Sequence, residues 1–293
     1  MENMYEGLFT ALITPFTADG KLDEAALRRL VDFQIKEGVD GLVPVGTTGE
    51  SPTLSQEETE TVIRVVVEQT RGRVPVIAGA GSNSTDKAIH LTAEAKKLGA
   101  NASLQVAPYY NKPTAEGFYR HFTAIADAVD LPMIIYNIPG RTGKNIENST
   151  MLKLAKHKNI VAVKEASGDI AQMMNLIAQK PERFTVLSGD DNLAFPLIAL
   201  GGKGVISVAS NLIPGRMKEF IQAALKGQWD KARELHYRLL PLFKAIFLET
   251  NPIPIKAALA MKGMVQETYR LPMCPMGAEN RKALAAVMEE LKV

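Results

Sequence analysis

Short apolar, β-branched runs alternate along the chain with longer stretches in which apolar positions recur at helical spacing. The runs occupy residues 8–14, 41–45, 74–78, 102–106, 133–137, 160–164, 185–188 and 204–208, each the length of a strand. Most are apolar throughout rather than at every second position. That pattern predicts parallel strands covered on both faces. Between them the first helical stretch begins after Asp23, a residue suited to an N-cap, and places Leu27, Leu30, Val31 and Ile35 on one side. Gly38 then stops it as the glycine past a C-cap. The second opens on Ser55-Gln56-Glu57-Glu58, in which Ser and Glu can each bond the other's backbone N–H.

Strand starts recur at the spacing of a βα unit, without self-similarity of sequence at that period, so the architecture repeats and the sequence does not. Eight such units predict an α/β fold, a (β/α)8 barrel closing near residue 224. No change of composition and no Pro/Gly/Ser linker divides the chain before that point. From about Pro214 onward the pattern is mostly helical, with residues 229–240, 254–262 and 278–291 as candidate helices. The expected organisation is a barrel over residues 1–224 and a C-terminal helical appendage over residues 225–293, packed on it.

Composition narrows the class of protein. Over 293 residues, 46% apolar and 23% charged residues make an ordinary globular balance, which excludes disordered, collagenous and coiled-coil chains. A net charge of +2 with no long basic run gives no electrostatic footprint for nucleic acid. No run approaches the ~18 uninterrupted apolar residues of a membrane span, and residues 1–7, with Glu2 and Glu6, lack the apolar core of a secretory signal. A lone cysteine, Cys274, can form neither an internal disulfide nor a zinc site by itself, which suits a reducing compartment. A soluble cytoplasmic protein is expected.

In a (β/α)8 barrel the loops after the strands surround one shared mouth, so chemistry is sought at the strand ends. Strand two runs into Gly46-Thr47-Thr48-Gly49-Glu50, a turn of two hydroxyls between glycines that suits a small carboxylate or serves as an ordinary βα turn. Strand four ends in Pro108-Tyr109-Tyr110-Asn111, a tyrosine pair for packing or for function. Strand five ends in Tyr136-Asn137-Ile138-Pro139-Gly140-Arg141-Thr142, whose guanidinium can take a carboxylate bidentately or stay solvated. Strand six ends in Val163-Lys164-Glu165. A lysine there faces either the mouth or the helix layer; it can snorkel to solvent or act as an imine-forming amine. Imine formation needs the neutral amine, hence a pKa brought from ~10.4 toward ~7 to 8, and a desolvating barrel mouth can supply that shift.

Other candidates carry less. His90, His121, His157 and His236 are far apart and lack ligand-spaced partners, so surface or capping roles are expected and no metal site. Gly79-Ala80-Gly81 lacks the third glycine of a dinucleotide fingerprint. Gly201-Gly202-Lys203-Gly204 precedes strand eight, at the wrong end of a barrel for a phosphate loop, and reads as a turn.

Together, Gly46-Thr47-Thr48-Gly49-Glu50, Tyr109-Tyr110-Asn111, Tyr136 through Thr142 and Lys164-Glu165-Ala166 resemble the dihydrodipicolinate synthase family of pyruvate-dependent class I aldolases. The likeness extends to Ala11-Leu12-Ile13-Thr14-Pro15, Leu187-Ser188-Gly189-Asp190-Asp191, Gly204-Val205-Ile206-Ser207 and Asn251-Pro252-Ile253-Pro254. The resemblance implies that Lys164 forms an imine with pyruvate, and that the derived enamine adds to L-aspartate 4-semialdehyde in lysine and diaminopimelate biosynthesis. It implies Tyr136 as proton donor and acceptor, with Thr47 and Tyr110 as its relay, Tyr110 being lent by a neighbouring subunit of a dimer and of a dimer of dimers. Thr48 and the backbone at Ile206 would hold the pyruvate carboxylate, Arg141 the semialdehyde carboxylate, and Gly189 would line the mouth. No cofactor or metal is implied. The alternative within the enzymes is a pyruvate-dependent lyase of sugar acids such as sialic acid or 2-keto-3-deoxygluconate, which fits the Arg141 turn less well. The alternative outside them is a non-catalytic metabolite-binding barrel, which has no use for this set of side chains together. One departure stands out: lysine-inhibited members of the family carry an acidic residue where Lys87 stands and a histidine where Thr59 stands. A cation facing a cation implies weak or absent inhibition by L-lysine.

Overall fold

The structure, a computed structural model, describes residues 4–293; residues 1–3, the start of the segment read above as lacking a secretory signal, lie outside the described residues. Eight strands and their helices follow in the expected order: β1 (Gly7–Ala11), α1 (Glu24–Lys36), β2 (Gly41–Val43), α2 (Gln56–Thr70), β3 (Ile77–Gly79), α3 (Thr85–Lys97), β4 (Ala102–Val106) and α4 (Ala115–Ala128). Then come β5 (Met133–Asn137), α5 (Pro139–Thr142), α6 (Asn148–Leu154), β6 (Ile160–Glu165), α7 (Ile170–Gln179), β7 (Thr185–Ser188), α8 (Ala194–Ala199) and β8 (Gly204–Ser207). Four helices end the chain: α9 (Pro214–Leu225), α10 (Trp229–Ala245), α11 (Ile253–Met261) and α12 (Ala278–Glu290).

Helix starts are made by the side chains that mark them in the sequence. Asp23 accepts the Ala26 N–H at 2.8 Å, and Gly38 follows α1 with φ +86°. Ser55 and Glu58 form the reciprocal capping box of α2. Each bond satisfies an amide that helix geometry leaves orphaned.

All strand pairs are parallel, in the order β2-β1-β8-β7-β6-β5-β4-β3. The ring closes between β2 and β3 through a bridge of Leu42 with Val76 and the bond of Gly79 N to Pro44 O at 2.9 Å. Three strands are displaced from their apolar runs. β1 ends at Ala11: Leu12 N still bonds Val43 O at 3.0 Å, but the next amide, Ile13 N, is given to the Asn211 side chain instead of a strand. Val45, at φ +57°, cannot continue β2. Pro75 has no N–H to give, so β3 starts at Ile77 and runs on to Gly79.

Alternate residues of each strand face inward. Phe9, Val43, Ile77, Leu104, Ile134 and Leu187 fill the barrel with their neighbours, while Leu8, Leu42, Ile135 and Val186 face the helix layer. α9 packs on β1 and β8 as the eighth barrel helix. Beyond it α10 lies on α9, and α12 lies on α10 and α11. α10 runs five residues past the predicted stop before Pro241. The bond Pro241 cannot make belongs to the carbonyl of exposed Tyr237, which water can satisfy. No described helix is long and apolar enough to cross a membrane.

Candidate active site

Strand alternation decides where the lysine of β6 points. Ala162 belongs to the barrel interior and Val163 to the helix layer, so Lys164 returns to the interior. It is 5% exposed, and its Nζ lies 4.0 Å from the centroid of the Tyr136 ring. Tyr136 is its register partner on β5 and equally buried. Gly189, immediately past β7, makes room for the amine's stem. A Cβ there would lie 2.6 Å from that of Ala166 and 3.2 Å from Lys164 Cε.

Burial disfavours the ammonium and brings the Lys164 pKa down to about 8; Asp190 and Asp191 pull it back up, and Arg141 adds to the lowering. Burial likewise pushes the Tyr136 phenol above its ordinary value, with Asp190 acting in the same direction. Arg141 and a hydrogen bond from the Thr47 hydroxyl oppose that rise. The phenol is therefore neutral at neutral pH, and Thr47 is placed to stabilise it when it loses a proton.

Thr47 and Thr48 form a tight turn that ends on Glu50 in the left-handed conformation, φ +54°. Thr48 is buried, and its Oγ1 accepts from Asn251 Nδ2 at 2.9 Å. Arg141 sits on the single turn of α5, where its Nη2 donates to the Asn251 backbone carbonyl at 3.2 Å. Thr47, Tyr136 and Arg141 line a cavity of about 660 Å³ that continues past Tyr109 to Thr59, Lys87 and His90. Ile206 is fully buried on β8 inside the barrel.

Seven of the eight candidate residues thus gather at or beneath one mouth. Tyr110 does not join them within the chain: it is 89% exposed, at φ +70°. Two of the histidines depart from the expected surface or capping roles. His121 lies on the inner face of α4, edge-on to Phe122 at 5.0 Å, and burial lowers its pKa to about 4. His236 packs among Phe195, Phe220 and Phe243. Among the described residues, no three His, Cys, Asp or Glu side chains gather as a metal site would require.

Several polar neighbours lie inside the segments that carry the resemblance, without a role assigned to them there. Asn137 and Glu165 are the register pair next beyond Tyr136 and Lys164, on the helix side. Asn137 Nδ2 donates to both Glu165 oxygens at 3.2 and 3.1 Å, and the Ser167 N–H donates to Oε1 at 2.7 Å. Asp191 accepts the backbone N–H groups of Val208 and Ala209, which fixes the loop after β8. A polar residue in an otherwise apolar strand end was the available signal for Asn137 and Glu165; for Asn251 it was a lone amide ahead of an apolar helix.

The model of the dihydrodipicolinate synthetase family matches residues 4–291. A 4-hydroxy-tetrahydrodipicolinate synthase of Koribacter versatilis is 55% identical over 288 residues, 98% of this chain and 96% of the relative. One from Thermodesulfovibrio yellowstonii is 53% identical, covering 97% and 98%. The crystal structure of the dihydrodipicolinate synthase of Aquifex aeolicus superposes with a TM-score of 0.97 at 49% identity, over 98% of both chains. That of the chloride-inhibited dihydrodipicolinate synthase of Acinetobacter baumannii complexed with pyruvate gives 0.97 at 43% identity, over 98% and 99%.

Proposed function

The chain belongs to the dihydrodipicolinate synthetase family, and from that premise we infer that it condenses pyruvate with L-aspartate 4-semialdehyde, the 4-hydroxy-tetrahydrodipicolinate synthase reaction. The observation that carries the reading is Lys164: an amine buried at the barrel mouth, with its pKa lowered to about 8 and a phenol beside it.

Pyruvate enters with its carboxylate on Thr48 and the backbone around Ile206. The neutral Lys164 amine adds to the keto carbon, and loss of one water leaves a protonated imine, which acts as an electron sink for the adjacent methyl group. The methyl gives up a proton and becomes the enamine. Tyr136 accepts and returns protons in these steps, with Thr47 bonded to its oxygen. The enamine carbon then attacks the aldehyde of the semialdehyde, whose carboxylate Arg141 holds. The amino group of the new chain attacks the imine carbon and displaces Lys164, closing the ring to 4-hydroxytetrahydrodipicolinate and regenerating the amine. Gly189 keeps the space above Lys164 open for both substrates.

Tyr110 completes the relay from a second copy. Its near-complete exposure at a left-handed backbone position supports a side chain held out from its own subunit, so the working unit is a dimer, paired again into a homotetramer. The protein works in the cytoplasm, whose reducing conditions suit the exposed free thiol of Cys274.

The test is borohydride reduction in the presence of pyruvate, followed by mapping of the modified residue. A mass increase on Lys164 supports the aldolase chemistry. Consumption of aspartate semialdehyde, and not of sugar acids, supports the synthase reaction over a lyase.

A further inference from the structure

Asn251 touches both groups to which the proposed reaction assigns a carboxylate. Its side-chain Nδ2 donates to Thr48 Oγ1 at 2.9 Å, and its backbone carbonyl accepts from Arg141 Nη2 at 3.2 Å. It lies just ahead of α11, outside the barrel strands, and is 5% exposed. The same helix holds the far end of the threonine turn. Lys256 Nζ donates to the buried Glu50 carboxylate at 2.5 Å and to Thr268 O at 2.8 Å, and stands 4.2 Å from the Phe16 ring centroid. The turn is therefore gripped at Thr48 by the residue just ahead of α11 and at Glu50 by α11 itself, on either side of Gly49.

The polarity of the first grip matters. A threonine hydroxyl has one hydrogen and accepts through its lone pairs. Because Thr48 Oγ1 accepts from the Asn251 amide, its hydrogen remains free to be donated, which is what an incoming carboxylate needs. An unconstrained hydroxyl would turn to any nearby carbonyl and lose that direction.

We propose that Asn251 is a positioning residue for pyruvate binding: it fixes the place and donor direction of the Thr48 hydroxyl and couples that hydroxyl to Arg141. The inference rests on the reading that Thr48 binds the pyruvate carboxylate. A residue that merely anchors the tail would lower stability and leave substrate affinity alone.

The experiment compares the full-length wild type, Asn251→Ala, Thr48→Val and the double variant, with pyruvate and semialdehyde varied separately. Asn251→Ala is expected to raise the pyruvate KM about fivefold or more with kcat changed less than about threefold, the signature of a lost binding interaction. In the Thr48→Val background the same substitution is expected to change the pyruvate KM less than about twofold, because its target is gone. If Asn251→Ala gives no cooperative melt, Asn251→Leu, which keeps the side chain's shape and lacks the donor, is carried through the same cycle. An unchanged pyruvate KM, or a rise that persists in the Thr48→Val background, overturns the inference. Borohydride trapping on the wild type separates the two levels: no label on Lys164 removes the underlying reading, whereas a label with an unchanged KM in the variant removes the role of Asn251 alone.

Discussion

Lys164 and Tyr136 face each other across the β5–β6 ladder, with the amine nitrogen 4.0 Å from the centroid of the phenol ring. Parallel pairing puts both side chains on the inner side of the sheet at the same height, where the barrel excludes water from both. The amine loses hydration that its charged form needs, and its pKa falls to about 8. The phenol loses hydration that its anion needs, and its pKa rises. One environment thus holds both groups closer to neutral.

A reaction that starts from the neutral amine requires kcat/KM for pyruvate to rise with pH and level off above about pH 8. Asp190 holds the Lys164 pKa up and Arg141 holds it down. Asp190→Asn should therefore move this limb to lower pH, and Arg141→Met should move it higher. A pH–rate series on the three proteins checks both signs, and limbs that stay fixed contradict the assignment.

The buried amine also costs stability. Its folded pKa, about 8, lies below its ordinary value of 10.5, so across that window the unfolded chain binds more protons and stability rises with pH. Below pH 8 the full cost is present, on the order of 3 kcal/mol. Lys164→Met should abolish activity yet melt higher than wild type at pH 7, with the gain fading toward pH 10.5. Melting curves at pH 7 and above pH 10 measure it, and a lower melting temperature at pH 7 would speak against a desolvated lysine.

Tyr136→Phe removes the proton carrier and leaves its ring. We expect kcat to fall by about 10²–10⁴-fold, the usual contribution of a positioned acid–base group. Thr47→Val, which interrupts the relay one group further out and leaves the phenol in place, should cost less. Steady-state kinetics at saturating substrates order the two, and equal losses would show that the phenol moves no proton without Thr47.

Much of this site could be read along the chain because strand ends are where a barrel concentrates chemistry, and Lys164, Tyr136, Thr47, Thr48 and Arg141 all sit at such ends. Local signals also carried the helix starts: Asp23, Ser55 and Glu58 bond amides within three residues of themselves. The contacts of Asn251, quoted only for the resemblance, and of Lys256 escaped for the opposite reason. Their partners Thr48 and Glu50 lie about two hundred residues away, and no periodicity or spacing records a contact made only by folding. The inward turn of Lys164 was open for a related reason. It depends on which face of β6 carries Ala162, and a run apolar on both faces does not tell.

The cavity that begins at Tyr136 continues to Lys87, with Thr59 and His90 on its walls. An effector with a terminal ammonium would meet the ammonium of Lys87 there, and juxtaposed like charges cost several kcal/mol. Activity should hold at L-lysine concentrations up to about 1 mM, and Lys87→Glu should introduce or strengthen inhibition. Inhibition curves on the two proteins decide, and half-inhibition of the wild type below 1 mM would show that the cation does not exclude the ligand.

The central claim is that the Lys164 amine joins pyruvate covalently. Mass spectrometry of the intact protein after borohydride reduction with pyruvate should show one added three-carbon acid per chain, mapped by peptide digestion to Lys164 and absent from Lys164→Met. Turnover of both substrates by a protein that takes up no such mass, or that carries it on another residue, would contradict the account.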